Sequence, residues 1–216
     1  MTPRRFEQPG IRGWLHEPGG VPRAAMVLTH GAGSNCEAPL LVAVANAFAV
    51  EDCLVLRCDL AFRQLRPHGP PLGSQQRDRD SIRQAAQTLR ELAPGLPLIL
   101  AGHSYGGRQS TMLAAEDPEI AQALLLLSYP LHPPKQPAKL RTEHFPRLRT
   151  PALFVHGTRD EFGTIEEITA ALALIPARTR LITVEGAGHG LPPAAAAALP
   201  RGLLTGEFLF EIRRIQ

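Results

Sequence analysis

Short runs of consecutive apolar residues alternate along this chain with stretches whose apolar positions recur every three to four residues. Residues 24–29, 53–57, 96–101, 123–128, 151–155 and 180–184 are of the first kind. They are too short for core helices and too continuously apolar for strands with one wet face, so they read as strands buried on both sides. Between them, residues 36–50 read as an apolar helix. Over residues 80–92, Ile82, Ala85, Ala86, Leu89 and Leu92 share one helical face. Further helices are expected over 105–115 and 165–175. Another starts near Pro193, with a break at Pro200-Arg201-Gly202. Residues 5–8 and 11–15 can pair as an N-terminal hairpin, while 61–77 and 129–149, polar and proline-rich, read as loops. Buried strands separated by helices predict an α/β architecture: a mostly parallel, doubly wound sheet with helices on both faces and no cap domain. The length of 216 residues fits one domain spanning residues 1–216.

In such sheets ligands bind at the carboxyl ends of the strands, so those ends are where chemistry is sought. The run at 96–101 leads straight into Gly102-His103-Ser104-Tyr105-Gly106, a Gly-x-Ser-x-Gly sequence followed at once by a helical pattern. Strand, sharp turn and helix in that order lift a serine hydroxyl clear of the sheet, where a histidine can reach it. The turn also sets the backbone N–H of Tyr105 at a helix N-terminus beside the reacting carbonyl. A base and its orienting acid should follow in the order Ser, Asp or Glu, His. Residues 151–155 lead into His156-Gly157-Thr158-Arg159-Asp160, and the last strand leads into Glu185-Gly186-Ala187-Gly188-His189-Gly190. Asp160 and His189 thus lie just past two further strand ends. His189 would take the serine proton, and Asp160 would hold its tautomer. Asp160 could instead cap the next helix, with Glu161 as the acid. His30 and His156 are expected to brace loops by hydrogen bonds, and the ring of His103 to point away from Ser104. The loop Thr29-His30-Gly31-Ala32-Gly33-Ser34-Asn35 can supply a second oxyanion donor, the N–H of Ala32.

Composition narrows the class. The formal charge of +3 is small and scattered, which argues against nucleic acid. No stretch approaches the length of a membrane span, and the first residues lack the apolar core of a leader, so a cytoplasmic protein is expected. The three cysteines, Cys36, Cys53 and Cys58, have neither paired nor metal-type spacing and read as small buried residues of a reducing compartment. No cofactor or metal is expected.

Several segments together resemble the α/β-hydrolase superfamily over nearly the whole chain. His30-Gly31-Ala32-Gly33, Gly102 to Arg108, Tyr129 to Pro134, Arg141-Thr142-Glu143-His144 and His156 to Gly163 are similar to its small dienelactone-hydrolase-like branch. That branch includes eukaryotic testis-expressed and chromatin-complex subunit relatives. The resemblance implies the fold and a triad of Ser104, Asp160 and His189. Dienelactone hydrolases use a cysteine nucleophile, so the serine here argues against transferring their substrate. The expected activity is hydrolysis of carboxylic esters of small or medium acids through an acyl-enzyme. The same triad serves thioesterases, acyltransferases and perhydrolases, and the fold also serves non-catalytic interaction modules. The span from Tyr129 to Arg149 is too short for a cap, which predicts an open site. Arg63, Arg66 and His132, with Lys135, Lys139, Arg141 and His144, lie in loops expected on the catalytic side; they read either as ordinary solvated surface charge or as a cationic rim that would favour an anionic substrate. The expected partner is a small ester or thioester, and the expected state a monomer or homodimer.

Overall fold

The computed structural model describes residues 2–204. Eight strands form one sheet: β1 Arg4–Gln8, β2 Ile11–His16, β3 Ala24–Thr29, β4 Cys53–Cys58, β5 Leu98–His103, β6 Ala123–Leu127, β7 Ala152–Gly157 and β8 Thr179–Val184. Their order is β1-β2-β4-β3-β5-β6-β7-β8. The pairs from β4 to β8 are parallel, while β1–β2 and β2–β4 are antiparallel. The N-terminal hairpin expected from the sequence therefore exists and extends the sheet at one edge.

Every residue of β3, β4, β6 and β7 is buried, because helices cover both faces. Alternation along the strands divides the core in two. Val27, Leu56, Leu100 and Leu126 face α3 Gln75–Leu92, α4 Tyr105–Glu116 and α5 Ile165–Leu172. Met26, Val55, Ile99 and Leu125 face α1 Pro39–Val50 and the C-terminal α6 Leu199–Leu204. Phe48 of α1 is fully buried on that second face, which contributes roughly 1.5–3 kcal/mol.

Helix boundaries are where pattern and structure part. Helix α1 starts at Pro39 rather than at residue 36, because the Asn35 side chain accepts the Glu37 N–H and proline occupies the first turn. Helix α3 starts at Gln75, five residues before the expected start at residue 80. Ser74 caps it by accepting from Gln76 N–H, and Asp78 lies in its first turn. Part of the expected 61–77 loop is a short helix, α2 Ala61–Leu65, anchored by buried Phe62 and Arg63. At the C-terminal end, residues 193–198 form a 3-10 turn and α6 runs through Pro200 to Gly202 without the expected break. No helix among the described residues is long and apolar enough to cross a membrane.

Strand β3 is central, with β4 on one side and β5 on the other. Connections leaving β3 and β5 diverge to opposite faces and open a crevice above their carboxyl ends, where ligands bind in open α/β sheets. The 30–35 loop and Ser104 both sit at that crevice.

Candidate active site

Ser104 makes the turn between β5 and α4 alone, with φ 50° and ψ −113°. A non-glycine residue in that region costs of order 1–3 kcal/mol and persists only where its surroundings impose it. Here the Ser104 N–H donates to the Leu127 carbonyl at 2.8 Å, and the Gly106 N–H donates to the His30 carbonyl at 3.1 Å. A Cβ on Gly102 would collide with the backbone of Gly106 and Gly107, so only glycine lets α4 fold back this tightly on β5.

Asp160 and His189 arrive from β7 and β8. Their loops touch: the Arg159 N–H donates to the Ala187 carbonyl at 2.8 Å, and the Thr158 N–H to the Val184 carbonyl at 3.1 Å. Gly157 permits the approach, since a Cβ there would strike the carbonyls of Ala187 and Gly188. The result is a continuous chain of hydrogen bonds. His189 Nε2 is 2.8 Å from Ser104 Oγ, and His189 Nδ1 lies 3.0 and 2.9 Å from the two Asp160 carboxylate oxygens. Asp160 is buried, and its Oδ1 also accepts the Phe162 N–H at 2.9 Å. A carboxylate acceptor at Nδ1 places the imidazole proton there and leaves Nε2 to accept from serine.

Two further rings hold His189. Phe162 stacks on it with centroids 4.0 Å apart, and His103 lies against it at 5.4 Å. His103 Nε2–H donates to the His189 carbonyl at 3.0 Å. His103, its ring expected to point away from Ser104, thus packs against His189 and lines the cleft. It follows Ile99 and Ala101 on one face of β5 by strand alternation, and that is the face the β8 loop crosses. Phe162 carried no signal of its own beyond lying in the His156 to Gly163 segment.

Opposite Ser104, the 31–34 loop is fixed from below. Arg63 is buried, and its guanidinium donates to the carbonyls of Ser34 (2.7 Å), Ala32 (2.9 Å), Gly69 (3.0 Å) and Arg66 (3.2 Å). His30 Nε2 accepts the Leu60 N–H at 3.1 Å, so its proton is on Nδ1, which donates to the Gly31 carbonyl at 2.8 Å. No intramolecular acceptor is found for the Ala32 N–H among the described residues. Tyr105, first residue of α4, has an N–H without an intrahelical partner. Its phenol donates to Asp78 Oδ2 at 2.7 Å, and Asp78 Oδ1 accepts the Phe62 N–H at 3.0 Å. Burial pushes the Asp78 carboxyl up, against those two hydrogen bonds.

The cleft over Ser104 has a volume of about 520 Å³. Its walls include Ala32, Gln75, Arg108, Pro130, Arg141 and Phe162. Arg63, Arg66 and His132 do not line it. Arg63 is spent on backbone carbonyls, Arg66 is exposed outside the cleft, and His132 is buried between the Pro133 carbonyl and Glu167. Lys135 and Lys139 are exposed elsewhere on the 129–149 loop, and His144 is buried against Thr111. Of the basic residues expected at the rim, Arg141 alone faces the cleft; Arg108, inside the serine motif, was not among them.

Arg63→Met should cost at least ~3 kcal/mol, since four carbonyls lose a charged donor and those that are buried stay unsatisfied. Chemical denaturation measures it; a loss below ~1 kcal/mol would show that the loop holds itself.

Three buried histidines give a second expectation. Burial, aided by the nearby Arg57 and Arg108 cations respectively, pushes His16 and His144 down to about 4; burial likewise pushes His30 down to about 4. Each is neutral in the fold and ordinary, near 6.5, when unfolded. Between those values only the unfolded chain binds the proton, so their contribution is complete above pH ~6.5 and is lost as pH falls toward ~4. Tm should therefore drop on acidification through this window, and His144→Gln should make the drop shallower. An identical slope in that variant would exclude His144 from the effect.

With this geometry in place, the class of protein follows: residues 22–201 match the alpha/beta hydrolase domain model, and the chain belongs to that family. Among curated proteins it is 30% identical over 118 residues to monoglyceride lipase of Mus musculus, covering 52% of this chain. The matched part spans only 37% of the lipase. Among solved structures it resembles dienelactone hydrolase from Anabaena variabilis, with TM-score 0.72 at 22% identity over 97% of this chain and 98% of that one. It also resembles a lidless serine hydrolase from Xanthomonas campestris, with TM-score 0.67 at 18% identity, covering 93% of this chain and 92% of that one. At these identities the structural likeness speaks for the fold alone, an open, mostly parallel sheet of the α/β-hydrolase type.

Proposed function

We propose that this chain is a serine-dependent carboxylic ester hydrolase, acting as a single catalytic domain on esters of small or medium acids. One observation carries the reading: His189 bridges Ser104 Oγ and the Asp160 carboxylate with hydrogen bonds of 2.8 to 3.0 Å at the mouth of an open cleft. Ser104 attacks the ester carbonyl as His189 Nε2 takes its proton, and Asp160 stabilises the imidazolium. Negative charge on the carbonyl oxygen is met by the N–H groups of Ala32 and Tyr105, the latter at the positive end of α4. The imidazolium then protonates the departing alcohol. Water, activated by the same histidine, releases the acid from Ser104.

A cleft of about 520 Å³ is within the size range of small-molecule sites. We place the protein in the cytoplasm, where three unpaired, buried thiols persist. Burial pushes all three thiols up, Cys36 to about 12, so none competes with Ser104 as a nucleophile.

A fluorophosphonate probe should label the wild-type protein at Ser104, and p-nitrophenyl butyrate should be turned over. A folded protein that is neither labelled nor active would sink the reading and leave a non-catalytic binding module of this family.

A further inference from the structure

Among the described residues, several cationic side chains taken out of water have an ion pair or two or more hydrogen bonds, and Arg108 and Arg141 contrast with them. Arg12 pairs with Asp59 at 2.8 Å and Arg79 with Glu116 at 3.1 Å. Arg57 donates to His16 and the Cys36 carbonyl, and Arg63 to four carbonyls. Arg108 and Arg141, both half-buried on the wall of the Ser104 cleft, form no ion pair among the described residues. Arg108 has only a long contact to Gln75 Oε1 at 3.4 Å, and its buried Nε has no partner. The Arg141 guanidinium makes one hydrogen bond among the described residues, to the Pro130 carbonyl at 3.2 Å. Burial and the neighbouring charge of Arg108 push the Arg141 guanidinium down. Two like charges lining one cleft repel each other, and an anion bound between them would relieve that repulsion.

The pair is also built to stay. His144 Nε2 and Thr111 Oγ1 are 2.8 Å apart, and Thr111 Oγ1 donates to the Arg108 carbonyl at 2.8 Å, so the histidine donates to the threonine. The fully buried Tyr129 donates its phenol to the Arg141 carbonyl at 2.7 Å. Both backbones are thus fixed from the core side, and both residues line the cleft. Arg108 is one helical turn from Ser104, its N–H bonded to the Ser104 carbonyl at 3.0 Å. A group bound by its side chain lies a few bonds from a carbonyl at Ser104.

Resting on the hydrolase reading above, we propose that Arg108 and Arg141 form a carboxylate subsite, so that the preferred substrate is an ester carrying a second, ionised carboxyl group. Planar guanidinium forks match a carboxylate bidentately, which a lysine pair would not do. The carboxylate can belong to the acyl part, as in a half-ester of a dicarboxylic acid, or to the alcohol part.

Two matched pairs of substrates distinguish these sources. The first is p-nitrophenyl hydrogen adipate against p-nitrophenyl hexanoate; the second is 3-carboxyphenyl acetate against phenyl acetate. The charged member of one pair should show a kcat/KM at least about tenfold higher, with the advantage shrinking as salt rises. That charged-to-neutral ratio should fall about tenfold in Arg108→Gln and in Arg141→Gln, with Arg141→Lys keeping part of it. An independent arm needs no catalysis. Glutarate should raise the Tm of the wild type above that in sodium chloride of equal ionic strength, and the rise should vanish in Arg141→Gln. Neutral esters turned over with no charged preference and no glutarate effect would overturn the subsite and leave the hydrolase standing. If Ser104 is neither labelled nor active, the hydrolase fails first, and the melting arm alone decides whether the arginines bind a carboxylate.

Discussion

Ser104→Ala should lower kcat for p-nitrophenyl butyrate by ~10⁶-fold, to the level left by binding and the oxyanion donors. In the proposed mechanism the Ser104 hydroxyl forms the acyl-enzyme, and its removal closes that covalent route. Stability should barely change. The side-chain oxygen hydrogen-bonds His189 alone, and alanine meets the same φ of 50° that serine already tolerates. Kinetics and thermal melts on the same preparation therefore separate lost chemistry from lost folding. Activity within about a hundredfold of wild type would mean that another nucleophile carries the reaction.

Asp160→Asn should cost ~10⁴-fold in kcat with the fold intact. Asp160 Oδ1 accepts the Phe162 N–H at 2.9 Å, and that bond keeps the amide oxygen of the asparagine on the Phe162 side. The NH₂ group then occupies the position of Oδ2, now 2.9 Å from His189 Nδ1. A donor there forces Nδ1 to accept and moves the imidazole proton to Nε2, which can no longer take the serine proton. Nitrogen-15 NMR of the His189 ring reports that tautomer directly. A variant that keeps activity within tenfold, or a ring still protonated at Nδ1, would shift the acid role to another carboxylate, with Glu161 the first to examine.

These two substitutions lie at positions the primary structure already singles out, and the reason is local. The turn at Ser104 needs glycine at 102 for backbone clearance. The acid and base each need a short loop after a buried strand, and strand, turn and loop all leave marks within a few residues. The strand series is legible for the same reason: a strand covered on both faces has no polar positions. Helix starts were less legible. The first turn of α3 is polar, and Ser74, which caps it, looks like any loop serine until its oxygen meets the Gln76 N–H.

Basic residues read most poorly. Charge along a chain does not say which way a guanidinium points. Arg63 belongs to a loop that leaves β4 toward the cleft, yet Phe62 packs inward and carries its neighbour under the 31–34 loop, where four carbonyls take it up. His132 turns to Glu167, and Lys135 and Lys139 go to solvent. Arg108 and Arg141 come together across the cleft from segments far apart in the chain, and no periodicity links them.

The amino-acid sequence by itself determined the α/β layering, the order of the strands along the chain and the three residues that meet at their ends. Each of those depends on patterns a few residues long: burial on two faces, clearance in a tight turn, a loop after a strand. Only the tertiary structure decided what surrounds Ser104. It packed Phe162 and His103 against His189, sent Arg63 beneath the 31–34 loop, and set Arg108 and Arg141 on the wall of an open cleft with no ion pair among the described residues. Those outcomes depend on which donors and acceptors end up within about 3 Å of one another once the sheet has assembled, a quantity that no single segment contains.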